Sequence, residues 1–251
     1  MNLYKLVLLM VIYMFPFQVM ASQLRLPPIE IEKTSPSYNK KKERYECFGS
    51  RLKSERNKTD KEMFSLYLLY YTSADSNRKA IPSHIKLYES MHKHMTKELI
   101  SDNEIMLSKA SDGVTLVTLP FHKSIVWDQW LRRLTTERNN IQMKICKLDW
   151  FDSQAEKLSH IPMDFLTEYN ALLSSYEALV DRCKKPDIKG WTQSQEAIDF
   201  ANCQNNAWRR EHNQKLRELK SYRSLRRRFV PILTELGLID KLKTPRKEYL
   251  K

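Results

Sequence analysis

TQSQEAIDFANCQNNAWRREHNQKLRELKSYRSLRRRF, residues 192–229, is the stretch whose reading decides the fold. Neither Gly nor Pro occurs between Gly190 and Pro231, and apolar side chains return at helical spacing: Ala197, Phe200, Ala201, Ala207, Trp208, Leu216, Leu219, Tyr222, Leu225 and Phe229. The pattern predicts one long helix running up to Pro231. Thr192 and Gln195 stand at the spacing of a capping box, in which hydroxyl and amide satisfy the unpaired N–H groups of a first turn.

The same stretch carries the strongest candidate for function. Between Ala207 and Arg228 nine Arg or Lys residues face only Glu211 and Glu218. At about 100° per residue, Arg209, Arg210, Arg217, Lys220, Arg227 and Arg228 fall within roughly a third of the circumference, away from Leu219 and Tyr222. Charged residues on a helix often form nothing more than its solvated face. A coherent stripe, however, can neutralise several phosphates or acidic side chains at once, which scattered charges cannot.

Composition sets the wider frame. The chain has 251 residues, a hydrophobic fraction of 41% and enough aromatic side chains to bury a core. Four glycines, against a usual share of about 7%, leave few positions for the positive φ that tight hairpins need. An all-β or Rossmann-like fold is therefore disfavoured. A net charge of +13 and a pI near 9.5 point to nucleic acid, anionic lipid or an acidic protein as partner.

Residues 1–21 have one cation, Lys5, an apolar run from Leu6 to Phe15, then Pro16 and Val19-Met20-Ala21. This is the layout of a secretory leader cleaved after Ala21, with an uncleaved anchor as the alternative. The exported chain keeps nearly all its charge. Four cysteines, Cys47, Cys146, Cys183 and Cys203, follow the leader. An even count there suggests disulfides in an oxidising compartment, with three possible connectivities. We favour Cys183–Cys203, tethering the long helix to its predecessor, and Cys47–Cys146. Their spacings do not suit a zinc site.

Residues 22–42, with Pro27, Pro28, Pro36 and Lys40-Lys41-Lys42, read as a flexible tether, and 43–251 as a single helical domain. Thr59 and Glu62 form a second capping box before the apolar run Met63–Tyr71. Pro82 marks the start of an amphipathic segment, Ser83 to about Ala110. Asp112-Gly113 is a turn signal, and Val114–Leu119 reads as an extended loop or one side of a small hairpin. Helical spacing resumes near Ser124, restarts at a Ser153/Glu156 box, and begins again at Pro162. The expected architecture is all-α, an irregular bundle of about six or seven helices with at most a minor β element near 114–119.

Other chemistry is weaker. Met91-His92-Lys93-His94-Met95 offers soft-metal donors, but the two histidines fall on different faces, so core methionines and surface histidines are expected. Neither a metal nor a cofactor is predicted. No hydrolase elbow, zincin or phosphate-loop signature is present. Asp149, Asp152, Glu168, Glu177 and Asp181 remain as carboxylates for an acid/base pair of the glycosidase type. Trp127, Trp130, Trp150 and Phe151 are expected to pack in the core rather than form a recognition platform.

The leading expectation is an exported, non-catalytic binding or scaffold protein, periplasmic or at the surface, presenting the basic stripe to an acidic partner. That partner is an acidic protein or an anionic envelope component, a lipid head group or polysaccharide. Nucleic acid is disfavoured by export. An envelope-associated hydrolase acting on wall or surface glycans is the alternative.

Overall fold

The structure is a computed structural model that describes residues 22–52, 58–184 and 195–246. Among these the chain is mostly helical, with five α-helices and two small antiparallel sheets. The strands are β1 (Ser22–Arg25), β2 (Ser37–Asn39), β3 (Arg44–Cys47), β4 (Ser50–Arg51), β5 (Met106–Lys109) and β6 (Thr115–Leu119); the helices are α1 (Asp60–Ser101), α2 (Phe121–Lys157), α3 (Ile161–Arg182), α4 (Gln195–Cys203) and α5 (Asn206–Glu235). The expected bundle thus has fewer helices and more β-structure. None of the described helices is long and apolar enough to cross a membrane.

Two compact units are present: the described residues of Met1–Lys53 with Ala74–Trp150, and those of Ser54–Ser73 with Phe151–Lys251. In the first, β6 lies between β1 and β5, with Leu24 and Leu107 both opposite Val117. Val117 and Leu119 are buried with Leu26, Tyr88, Met95, Leu99, Leu131 and Leu134 in one core cluster. The Asp112-Gly113 turn forms as expected. Gly113 takes φ +78°, and Asp112 Oδ1 accepts from the Val114 N–H at 3.1 Å.

Where a tether was expected, residues 22–42 supply β1 and β2, and Leu26 is buried. Two of the prolines there serve as acceptors. Tyr88 Oη donates to the Pro28 carbonyl at 2.7 Å and His92 Nε2 lies 2.8 Å from that of Pro27. In the second sheet β2, β3 and β4 form a meander held to α2 by the Cys47–Cys146 disulfide, with Cα atoms 5.8 Å apart.

The sequence pattern places helix boundaries at Pro82 and Pro231, but both lie inside helices. An interior proline removes one N–H and crowds the preceding turn, at about 3 kcal/mol. Ile81 and Tyr88 on α1, and Phe229, Ile232 and Leu233 on α5, are buried, and this packing outweighs the loss. The Met63–Tyr71 run and the Ser83 segment are consequently one helix, which ends at Ser101 so that Met106–Lys109 pairs as β5. The expected restart at Ser153 is likewise absorbed into α2, whereas Pro162 does open α3.

The second unit is built on aromatic rings. Phe229 stacks on Phe165 with centroids 4.2 Å apart and meets Phe64 edge-on at 6.1 Å. Tyr67, Tyr169, Tyr222, Leu225 and Leu233 are buried in the same cluster. The Thr59/Glu62 box caps α1, with Glu62 Oε2 accepting from the Thr59 N–H at 2.8 Å.

Candidate functional site

The long helix expected over residues 192–229 is two helices. Asn205 breaks it: its backbone is extended and its side chain accepts from the Trp208 N–H at 3.0 Å, starting α5 afresh. Thr192 of the expected capping box lies outside the described residues, and its other member, Gln195, begins α4 and donates to Asp199 Oδ1 at 3.0 Å. Cys183 and Cys203 are bonded as expected, with Cα atoms 5.6 Å apart, and join the end of α3 to α4. Trp208 fixes the start of α5 by donating its indole N–H to the Leu179 carbonyl at 2.9 Å and stacking on His212 at 4.8 Å.

The underside of α5 is committed to the core. Tyr222, Leu225, Phe229, Ile232 and Leu233 are buried. Tyr222 Oη donates to Glu168 Oε2 at 2.7 Å. Burial and this carboxylate push the phenol far above its ordinary range, so it stays protonated as the donor. The helix ends in a Schellman turn, in which Leu238 N–H bonds Leu233 O at 2.7 Å and Gly237 adopts φ +67°.

The outer side is different. Arg209, Arg210, Arg217, Lys220, Arg227 and Arg228 are all exposed, and none pairs with a carboxylate among the described residues. Arg217 Nε donates to the Asn213 carbonyl of its own helix, at 3.2 Å. By contrast, Lys215 and Arg226 face inward on the same helix. Lys215 Nζ reaches Glu211 at 3.6 Å and also bonds Ser175, and the Arg226 guanidinium lies over Tyr169 at 5.9 Å. Glu211 and Glu218 fall opposite the six cations on the helical wheel. The stripe is therefore not neutralised from within its own helix.

The remaining candidates are dispersed. His92, expected at the surface, is buried: the Pro27 carbonyl can only accept, so Nε2 carries the proton. His94 is exposed as expected, and Met95 is buried. No group of three or more metal-type ligands occurs among the described residues. Glu168 is bonded to Tyr222, and Asp181 lies 3.3 Å from Arg246. Of the tryptophans, Trp150 is buried against Tyr45, whereas Trp130 is 40% exposed beneath the Arg133 guanidinium.

One feature was missed. An open groove of about 980 Å³ runs beside α1 in the first unit, lined by Ile29, Lys86, His92, Lys93, Lys97 and Ile100 among others. Lys86, Lys93 and Lys97 repeat at i, i+7 and i+11, a helical register that could have placed them on one face. Its far wall, Ile29, comes from the segment read as a tether.

Compared with models of known families, with characterised proteins and with solved structures, the chain matches none.

Proposed function

We propose that this is an exported, non-catalytic binding or scaffold protein that uses the outer face of α5 to hold an acidic partner, either an acidic protein or an anionic component of the cell envelope. The observation carrying this reading is the contrast within one helix. Lys215 and Arg226 are used internally, while six neighbouring cations are exposed and lack a carboxylate among the described residues. Two disulfides fit an oxidising, exported setting. The leader-like residues 1–21 lie outside the described residues.

The test separates a site from a bulk charge effect. One variant replaces Arg209, Arg210, Arg217, Lys220, Arg227 and Arg228 by Gln; a second replaces Lys33, Lys40, Lys41, Lys86, Lys93 and Lys97, all exposed in the other unit. Both have the same net charge. With folding verified by circular dichroism, the first should lose about tenfold or more in capture of native envelope components at low salt, and the second should lose little. Equal loss in both variants would leave the face no special role.

A further inference from the structure

Resting on the reading of α5 as a binding face, we infer that its occupant is an extended, hydrophilic polyanion, an acidic polysaccharide chain, lying along the helix. Three features of the face select that class of ligand.

The first is shape. From Arg209 to Arg228 the cations extend about 28 Å along the axis, within a band about 10 Å wide for a 100° arc. A strip nearly three times longer than wide matches a chain rather than a compact anion. It presents cations at both ends, at 209/210 and 227/228, with Arg217 and Lys220 between them. Because the underside of α5 is locked into the aromatic core, the row is preordered and binding need not organise the backbone.

The second is what lies between the cations. Asn213 and Ser224 share their arc and are exposed, and both suit hydrogen bonds to hydroxyls. No aromatic side chain stands there to stack a base, as single-stranded nucleic acid would require. Nor is there the apolar seam with which two helices pair. The apolar side chains that an interfacial helix would push into a membrane are those buried beneath α5: Tyr222, Leu225, Phe229, Ile232 and Leu233.

The third is the chemistry of the donors. Five of the six cations are arginines, whose planar forks hold carboxylate or sulfate groups through two parallel hydrogen bonds. Each such contact is directional, so a repeating anionic chain gains affinity with every repeat that reaches another arginine.

The experiment titrates the full, disulfide-bonded chain with size-fractionated heparin as the sulfated polysaccharide, alongside phosphatidylserine vesicles, poly-glutamate and duplex DNA. Heparin affinity is expected to rise with fragment length until the fragment covers about 28 Å, then level off. Changing the five arginines to lysine should weaken it about tenfold or more although charge is kept. The six-glutamine variant should abolish length dependence, and the six-lysine control in the first unit should retain it.

Binding of vesicles, poly-glutamate or DNA through the same six residues, as tight as heparin, would overturn the polysaccharide assignment and leave the binding face standing. Heparin affinity independent of length or indifferent to Arg→Lys exchange would also overturn it. If none of the four probes depends on the six cations, the binding face itself fails with it.

Discussion

Three donors converge on the carboxylate of Glu46 in β3: Asn39 Nδ2 at 3.0 Å, Arg44 Nε at 2.7 Å and Lys42 Nζ at 3.3 Å. The hydrogen bond from Asn39, then those from Arg44 and Lys42, hold its pKa down, from 4.5 to about 2. A depressed carboxylate favours the folded state above its unfolded value and loses that contribution as pH falls toward the folded one. The hairpin should therefore weaken between about pH 4.5 and 2. Carboxyl NMR should place the Glu46 midpoint near 2, and Glu46→Gln should flatten the acid limb of the stability curve. A midpoint near 4.5 would show that the three donors do not hold the anion. None of this was visible in the sequence, where Lys40-Lys41-Lys42 read as part of a solvated tether. Glu46, four residues beyond Lys42, gathers its full set of donors only once β2 folds back on β3 and brings Asn39 to it.

At the scale of elements, Asn205 decides where the basic helix begins. Its side chain satisfies the Trp208 N–H, so Asn205→Ala should cost about 1 kcal/mol, read as a lowered urea midpoint at unchanged slope. No change would mean that the Cys183–Cys203 bond and Trp208 alone fix this junction. Helical periodicity made most of α1, α2, α3 and α5 legible, because each buries one face and its apolar residues repeat accordingly. What periodicity does not register is continuity. Pro82 and Pro231 carry a strong local penalty that buried neighbours override, and Asn205, a good capping residue amid polar neighbours, offers a break that Thr192–Phe229 read as a single run conceals. Strand β1 was illegible for another reason. Its four residues pair with Leu116–Leu119, far along the chain, and no local pattern encodes that partner. The exposed stripe, by contrast, depends only on the helical angle, so its six residues share one face wherever α5 begins.

For the molecule as a whole, the disulfides constrain loops of very different size. Cys47–Cys146 spans 99 positions and Cys183–Cys203 spans 20. In the chain-entropy view, removing the first should cost about 4–5 kcal/mol and removing the second about 3. Urea unfolding of the Cys47→Ser/Cys146→Ser and Cys183→Ser/Cys203→Ser variants checks the order. A larger loss from the shorter loop would show that native contacts, rather than denatured-chain entropy, dominate. The two pairs were readable from parity and helix order, whereas the division into two units was not, since no composition shift marks Ser73 or Trp150 as a boundary and both lie within helices.

That division also sets a timetable. Phe64, Tyr67, Leu68 and Tyr70 are made before all of Ala74–Trp150, yet the rings and aliphatic groups clustered with them, from Leu158 to Leu242, are made after it. The first unit can be completed while the chain is still growing, but the second must keep its earliest greasy turns waiting for the last ones. During synthesis, then, it is this early half of α1 that most needs shielding by a chaperone, and a stall after Trp150 would leave a finished first unit carrying a sticky, uncovered helix.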